Sequence, residues 1–280
     1  MTVSLKDAAP SWAKSLYRGS RLGVRRLRRL LGGDKVRCRV RGTEILLGVS
    51  SEIEQYRAET YASKEPETLD WLDKNLRDGD VLFDVGSNIG VYSLYAAKRQ
   101  PGCRVYAFEP AAQNFSRLCR NLALNGLENV TPCNFPLSDK EAFERFFVSD
   151  LEAGSAFHSI GSFNPDQPAA AAQRLVQGVL AATIDGLVAR AGLASPTLLK
   201  IDVDGLEDRI LEGARSTLAG PSLRGVLVEV THREGAAPSS DGLLGRRGFE
   251  LSAKSEWSIK RGGFVSRNHL YERLGGPHGR

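Results

Sequence analysis

Asp84, Gly86, Gly90 and Glu109 are the residues whose types and spacing most directly suggest chemistry. Asp84 lies in Val81-Leu82-Phe83-Asp84-Val85, a short apolar run that reads as a buried strand. Gly86 and Gly90 follow four apart, and Val91 to Lys98 then places apolar residues at helical spacing. Strand, glycine turn and helix form the opening unit of a nucleotide-binding α/β sheet. Glycine lets the backbone turn with little steric penalty and lets a ligand come close. The helix N-terminus aims its unpaired N–H groups at that ligand.

The details select the ligand. A dinucleotide fingerprint needs glycine where Asn88 stands, because backbone meets pyrophosphate there. A carboxylate at Asp84 would suit a cationic amino group and repel a diphosphate. Glu109 follows the strand Arg104–Phe108 and lies 19 residues beyond Gly90. That is close to the spacing of about 20 at which an acidic strand end grips ribose hydroxyls. An amino group, a ribose and no pyrophosphate together describe S-adenosylmethionine. Asp84, Gly86, Asn88 and Gly90 are expected along its amino-acid end, Glu109 on the ribose, and Ser138 with Asp139 beside the adenine.

Ligands of such sheets bind beyond the carboxyl ends of the strands. Two further groups should emerge there. Asp202 and Asp204 follow the apolar run from Leu198, and Glu229 and His232 belong to or follow the run from Val226. His232 titrates near neutrality and is a candidate general base, with Asp202 as the alternative. Asp202 and Asp204, joined by Glu229 or His232, could instead hold a divalent ion such as Mg2+, since hard oxygen ligands suit it. Turn capping is the plainer role for the two aspartates. Glu207 reads as a first-turn helix acid, and His158, His269 and His278 belong to no constellation.

The elements that must position these residues alternate strand and helix. This gives an α/β fold with a mostly parallel sheet and helices on both faces. At 280 residues, 41% hydrophobic and 25% charged, the chain can bury a sizeable core. Its four cysteines form no C-x-x-C pair, which argues against a disulfide framework or a zinc site. No apolar stretch approaches the roughly 20 residues of a membrane span, and no apolar leader core stands at the N-terminus, so a cytoplasmic setting is expected.

The formal net charge of +5 is uneven: residues 1–50 carry +9 and the remainder −4. Residues 1–34 read as a basic arm, with an amphipathic helix from Leu22 to Leu31 stopped by Gly32-Gly33. The arm could touch an anionic membrane surface, at the inner face, or nucleic acid. Packing of its leucines on the body is the favoured reading. Residues 35–75 form a lead-in of hairpin and helix. The catalytic body spans 76–280, with an insertion at about 140–180 that could close over a substrate pocket.

At this point the chain resembles the FkbM-type methyltransferases, within the class I S-adenosylmethionine-dependent, Rossmann-like fold. The residues that carry the resemblance are Phe83 to Gly90, Ala107 to Pro110 with Asn121 and Asn125, Leu137-Ser138-Asp139, Lys200 to Glu207, and Val228-Glu229-Val230. Asp204 stands where the family usually has Glu, and Ser87 where Ala is commoner. The resemblance implies O-methylation of a hydroxyl on a sugar, glycan or other small natural product. Two rival readings remain: a nucleic-acid methyltransferase using the basic arm, and a non-catalytic binding protein on the same fold. Amino-directed nucleic-acid enzymes usually place Asn/Asp-Pro-Pro-Tyr where this chain has Asp202-Val203-Asp204-Gly205.

Overall fold

The computed structural model describes residues 35–156, 158–160, 175–256, 258–261 and 263–275. The expected basic helix, the rest of the arm and His278 lie outside the described residues.

The central sheet grows from β3 (Val81–Val85), a run so apolar that all five residues are buried. Parallel partners flank it: β4 (Arg104–Phe108) and then β5 (Val130–Cys133) on one side, β9 (Leu198–Ile201) and then β10 (Gly225–Arg233) on the other. Beyond β10 the sheet turns antiparallel with β13 (Phe264–Arg273), which also pairs β11 (Phe249–Lys254) and β12 (Ile259–Arg261). The order across the sheet is β11-β13-β10-β9-β3-β4-β5. Helices cover both faces, giving the mostly parallel α/β sandwich that the resemblance implies. The chain reverses direction across the sheet between β3 and β9, the kind of crevice where such sheets bind ligands.

Strand alternation divides the core in two. Leu82, Val105, Ala107, Leu198, Leu227 and Leu270 face one layer. That layer contains α1 (Glu52–Thr60), α2 (Pro66–Asn75), α3 (Val91–Arg99), α4 (Ala112–Asn125) and the hairpin β1 (Lys35–Val40) with β2 (Thr43–Gly48). Phe83, Val85, Leu199, Ile201, Val228 and Val230 face the other. Packed there are α5 (Ile184–Ala189), α6 (Glu207–Glu212), α7 (Arg215–Ala219) and α8 (Ser239–Gly245). Full burial of one such aliphatic or aromatic side chain contributes about 1.5–3 kcal/mol.

Some boundaries differ from the sequence expectation. Leu206, Ile210, Leu211 and Ala214 fall on one helical face, so the sequence from Leu206 to Leu218 reads as a single helix, but it breaks between α6 and α7. A Cβ on Gly213 would overlap the Ser138 carbonyl oxygen, and the Gly213 carbonyl accepts from Asp185 N at 3.0 Å. Close approach of two backbones replaces helix continuation there. Helix α1, not expected, is fixed by a reciprocal cap: Ser51 Oγ accepts from Glu54 N at 3.1 Å, and Ser51 N donates to Glu54 Oε2 at 3.0 Å.

Within the 140–180 insertion, where Phe143, Phe146, Phe147 and Val148 suggest an extended strand, β6 (Ala142–Val148) pairs antiparallel with β7 (Ser159–Ile160) and β8 (Leu175–Ala181) in a small separate sheet. The segment between β6 and β7 lies back across the carboxyl edge of the main sheet, where Asn88 and Asn114 hold it.

Candidate active site

The glycine turn after β3 closes on its neighbours through backbone. Gly86 N and Ser87 N both donate to the Phe108 carbonyl at 3.0 Å, and Gly90 N donates to Ser87 O at 2.8 Å. Gly86 has φ +80°, and a Cβ there would overlap the Asp202 carbonyl oxygen. Gly90 has φ +91° at the N-cap of α3. Asn88, also left-handed at φ 53°, uses its side chain: Oδ1 accepts from Ile89 N, and Nδ2 donates to Ser155 O at 2.8 Å.

Glu109 emerges from β4 against this turn. Its carboxylate is 4% exposed and accepts two backbone amides, Asn88 N on Oε2 and Ala111 N on Oε1, each at 2.8 Å. Burial pushes its pKa up to about 7, against these amide bonds, the charge of Arg57 and the Asn114 side chain, which hold it down. A carboxylate offers about four acceptor positions. The positions these donors leave open would receive ribose hydroxyls, so the residues fit the adenosine moiety.

Asp84 is placed differently from the sequence expectation. It is 1% exposed; Ser93 Oγ donates to its Oδ2 at 2.6 Å, and Lys200 Nζ lies 3.4 Å from its Oδ1. Its charge is spent inside the sheet. Asp139, bonded to Ser138, pairs with Arg209 of α6. Ser138 Oγ donates to Asp139 Oδ1 at 2.9 Å, and Arg209 Nε is 2.8 Å from the same oxygen. Against the burial that raises it, these partners lower the Asp139 pKa.

A second group of charges lies across the turn from Glu109. Lys200, in the otherwise apolar β9, is 1% exposed and donates to Asp202 Oδ2 at 3.0 Å. Its ammonium also lies 5.0 Å from the centre of the Tyr92 ring. Burial disfavours the Lys200 charge, but Asp202, Asp84 and Glu65 outweigh it and raise the pKa. Asp202 is correspondingly held well below the usual carboxylate range by Lys200, by a hydrogen bond from Glu229 and by Lys64, in spite of burial. Glu229 is pushed well above it by burial and by Asp202. Burial and the neighbouring Asp202 thus both favour the protonated form of Glu229. Glu65 completes the group, pairing with Lys64 Nζ at 2.6 Å and accepting from the Tyr92 hydroxyl.

Alternation decides which candidates meet. Asp84, Lys200, Asp202 and Glu229 share one face parity with Leu82, Leu198 and Leu227. His232 shares the other, with Val228 and Val230; its Nδ1 lies 2.9 Å from the Arg233 carbonyl oxygen, and its ring centre is 6.3 Å from that of His269. The expected bases His232 and Asp202 therefore lie on opposite faces of the sheet.

The magnesium site expected from Asp202, Asp204 and Glu229 is not assembled. The Lys200 ammonium already pairs with Asp202 at 3.0 Å, and no ion-holding group of three or more His, Cys, Asp or Glu is found among the described residues. Sequence reasoning gave no separate role to Lys200, Glu65, Lys64 or Tyr92. The one legible signal was a lysine inside Leu198-Leu199-Lys200-Ile201, where an unpaired charge would be costly to bury. No helix among the described residues is long and apolar enough to cross a membrane.

Comparison with known proteins agrees with this architecture. The family description "Methyltransferase FkbM domain" matches residues 84–251. The chain is 33% identical over 210 residues to the 31-O-demethyl-FK506 methyltransferase FkbM of Streptomyces tacrolimicus, covering 65% of this chain and 76% of that one. It is 28% identical over 166 residues to the hexuronic acid methyltransferase AglP of Haloferax volcanii, covering 59% and 62%. A crystal structure of an FkbM methyltransferase from Methylobacillus flagellatus aligns with a TM-score of 0.45 at 14% identity, over 80% of this chain and 55% of that one. With the domain match covering more than half its length, the chain belongs to the FkbM methyltransferase family.

Proposed function

We propose that the protein moves a methyl group from S-adenosylmethionine to a hydroxyl of a small polar acceptor, a sugar or other natural product, with Asp202 receiving the hydroxyl proton. One observation carries this reading. Glu109 and Asp202 rise on the same face of the sheet, on either side of a turn whose Gly86 must lack a side chain for the Asp202 carbonyl to fit. A ribose carboxylate and a proton acceptor are thus built against one backbone turn.

When bound, S-adenosylmethionine supplies a methyl group on a cationic sulfur, open to in-line displacement. The chain then has three tasks. Glu109 fixes the ribose, and the turn from Gly86 to Gly90 lies along the amino-acid end. Asp202 stands ionised at neutral pH, held by Lys200 below and by the Glu229 proton beside it. An acceptor hydroxyl oriented by Asp202 gives up its proton there as its oxygen attacks. A depressed pKa makes Asp202 a weak base at rest, so its contribution is alignment first and proton removal late in the step.

The acceptor class is supported by the relatives, whose names specify 31-O-demethyl-FK506 and a hexuronic acid. The test is ligand-induced stabilisation. S-adenosylhomocysteine should raise the melting temperature, while NAD and a mixed-sequence RNA should not. Stabilisation by NAD or RNA alone would overturn the reading.

A further inference from the structure

Arg57 is a half-buried cation of α1 that the scheme above does not use. Its Nε donates to the Gly154 carbonyl at 2.6 Å. Gly154 has φ +90°, and a Cβ there would stand 3.1 Å from Ile53 Cγ2 and 3.4 Å from Arg57 Cδ and Nε. Glycine therefore suits both the turn and the close approach of the arginine stem. The next carbonyl, Ser155 O, accepts from Asn88 Nδ2 at 2.8 Å and from Asn114 Nδ2 at 3.1 Å, and Asn88 N reaches Glu109 Oε2. A continuous chain of hydrogen bonds thus fixes the guanidinium relative to the ribose carboxylate.

Other arginines of this layer have carboxylate partners: Arg41 and Arg99 on Asp73, and Arg117 on Glu54 at 2.5 Å. Among the described residues no carboxylate lies within ion-pair reach of Arg57. Glu54, one helical turn away, is taken by Arg117 and by the Ser50 and Ser51 amides. The neighbouring cation Lys64 is matched by Glu65. A guanidinium anchored at Nε keeps both terminal nitrogens for a planar, two-point anion.

We propose that Arg57 is the anchor of a carboxylate subsite at the carboxyl edge of the sheet, beside Glu109. This rests on the functional reading above. Two molecules of that reaction can bring such a group: the cofactor, through its amino-acid end, and an acidic acceptor of the uronic acid type.

The test compares matched probes in the full-length wild type and in Arg57→Gln. Calorimetry reads S-adenosylhomocysteine against 5′-methylthioadenosine, which keeps the adenosine thioether but lacks the amino acid. Thermal shift in the presence of S-adenosylhomocysteine reads glucuronate against glucose. The expected result is that Arg57→Gln weakens one carboxylate-bearing probe by about tenfold or more, while its neutral counterpart is unaffected. Selective loss of S-adenosylhomocysteine binding assigns the carboxylate to the cofactor; selective loss of the glucuronate response assigns it to the acceptor. Should Arg57→Gln fail to fold, Arg57→Lys keeps stem and charge but not the two-point geometry, and should weaken the same probe alone. An unaltered preference for both carboxylate probes overturns the subsite and leaves the proposed reaction standing. A wild type that binds neither adenosine compound overturns both.

Discussion

Lys200 Nζ lies 3.0 Å from Asp202 Oδ2, and both side chains point into the layer that holds the glycine turn. The same ammonium reaches Asp84 at 3.4 Å. One buried cation therefore links a residue of the strand preceding the cofactor turn to the proposed proton acceptor. Removing it leaves the buried Asp84 carboxylate without its cation, facing the partly exposed Asp202. Lys200→Met should cost about 3–5 kcal/mol of stability, the range for breaking a buried pair by deleting one partner. Urea unfolding monitored by circular dichroism checks this, and a loss below about 1 kcal/mol would mean that water reaches the pair.

The opposite faces of β10 separate the two candidate bases. Asp202→Asn should lower turnover by about 10²–10⁴-fold, the usual contribution of general-base catalysis, with S-adenosylhomocysteine affinity little altered. His232→Ala should retain most of its turnover. Steady-state rates of both variants on an acceptor accepted by the wild type decide between them. The reverse ranking would transfer the proton to His232.

Two glycines with similar backbone angles should respond differently. Gly86→Ala adds a Cβ where the Asp202 carbonyl stands, at φ +80°. It should lower the melting temperature and abolish S-adenosylhomocysteine binding, because turn and Asp202 are forced apart. Gly205→Ala, at φ +89° with open space around it, carries backbone strain alone, about 1–2 kcal/mol. Equal effects on cofactor binding would show that the turn does not depend on the Gly86–Asp202 approach.

Glu109 gives the free protein a pH dependence. Its folded pKa of about 7 lies above the ordinary 4.5 because burial disfavours the charge. The native state then holds a proton that the unfolded chain has released. Stability from this group is present below about pH 4.5 and is lost as pH rises towards 7, by up to about 3 kcal/mol. Glu109→Gln should flatten that decline in chemical-denaturation midpoints taken from pH 5 to 8. An equally steep decline in the variant would place the titration on another buried acid, such as Glu207, which burial raises to about 8.

The parts legible in the sequence were those written in local pattern. The strand Val81–Val85 and the turn around Gly86 and Gly90 follow from apolar runs and glycines, as does the helix Ala112–Asn125, whose Phe115, Leu118, Leu122 and Leu124 precede Gly126; the structure has each of them. Partnership across the sheet is not a local property. Nothing near Asp84 in sequence announces that Lys200, on the neighbouring strand, takes its charge. His232 lies three residues beyond Glu229, and an odd offset along a strand sends it to the opposite face. The contacts of Asn88 and Asn114 with Ser155 depend on a segment folded back from the small sheet, which no spacing rule encodes.

The central claim is that Glu109 and the turn beside it hold the adenosine of the methyl donor. Calorimetric titration of S-adenosylhomocysteine into the wild type and Glu109→Ala measures it most directly. Hydrogen bonds to a charged acceptor contribute about 1.5–3 kcal/mol each. The account therefore predicts one-site binding to the wild type and at least about tenfold weaker binding to a variant whose circular dichroism is unchanged. Equal affinity in a folded Glu109→Ala, or no binding to the wild type, would contradict it.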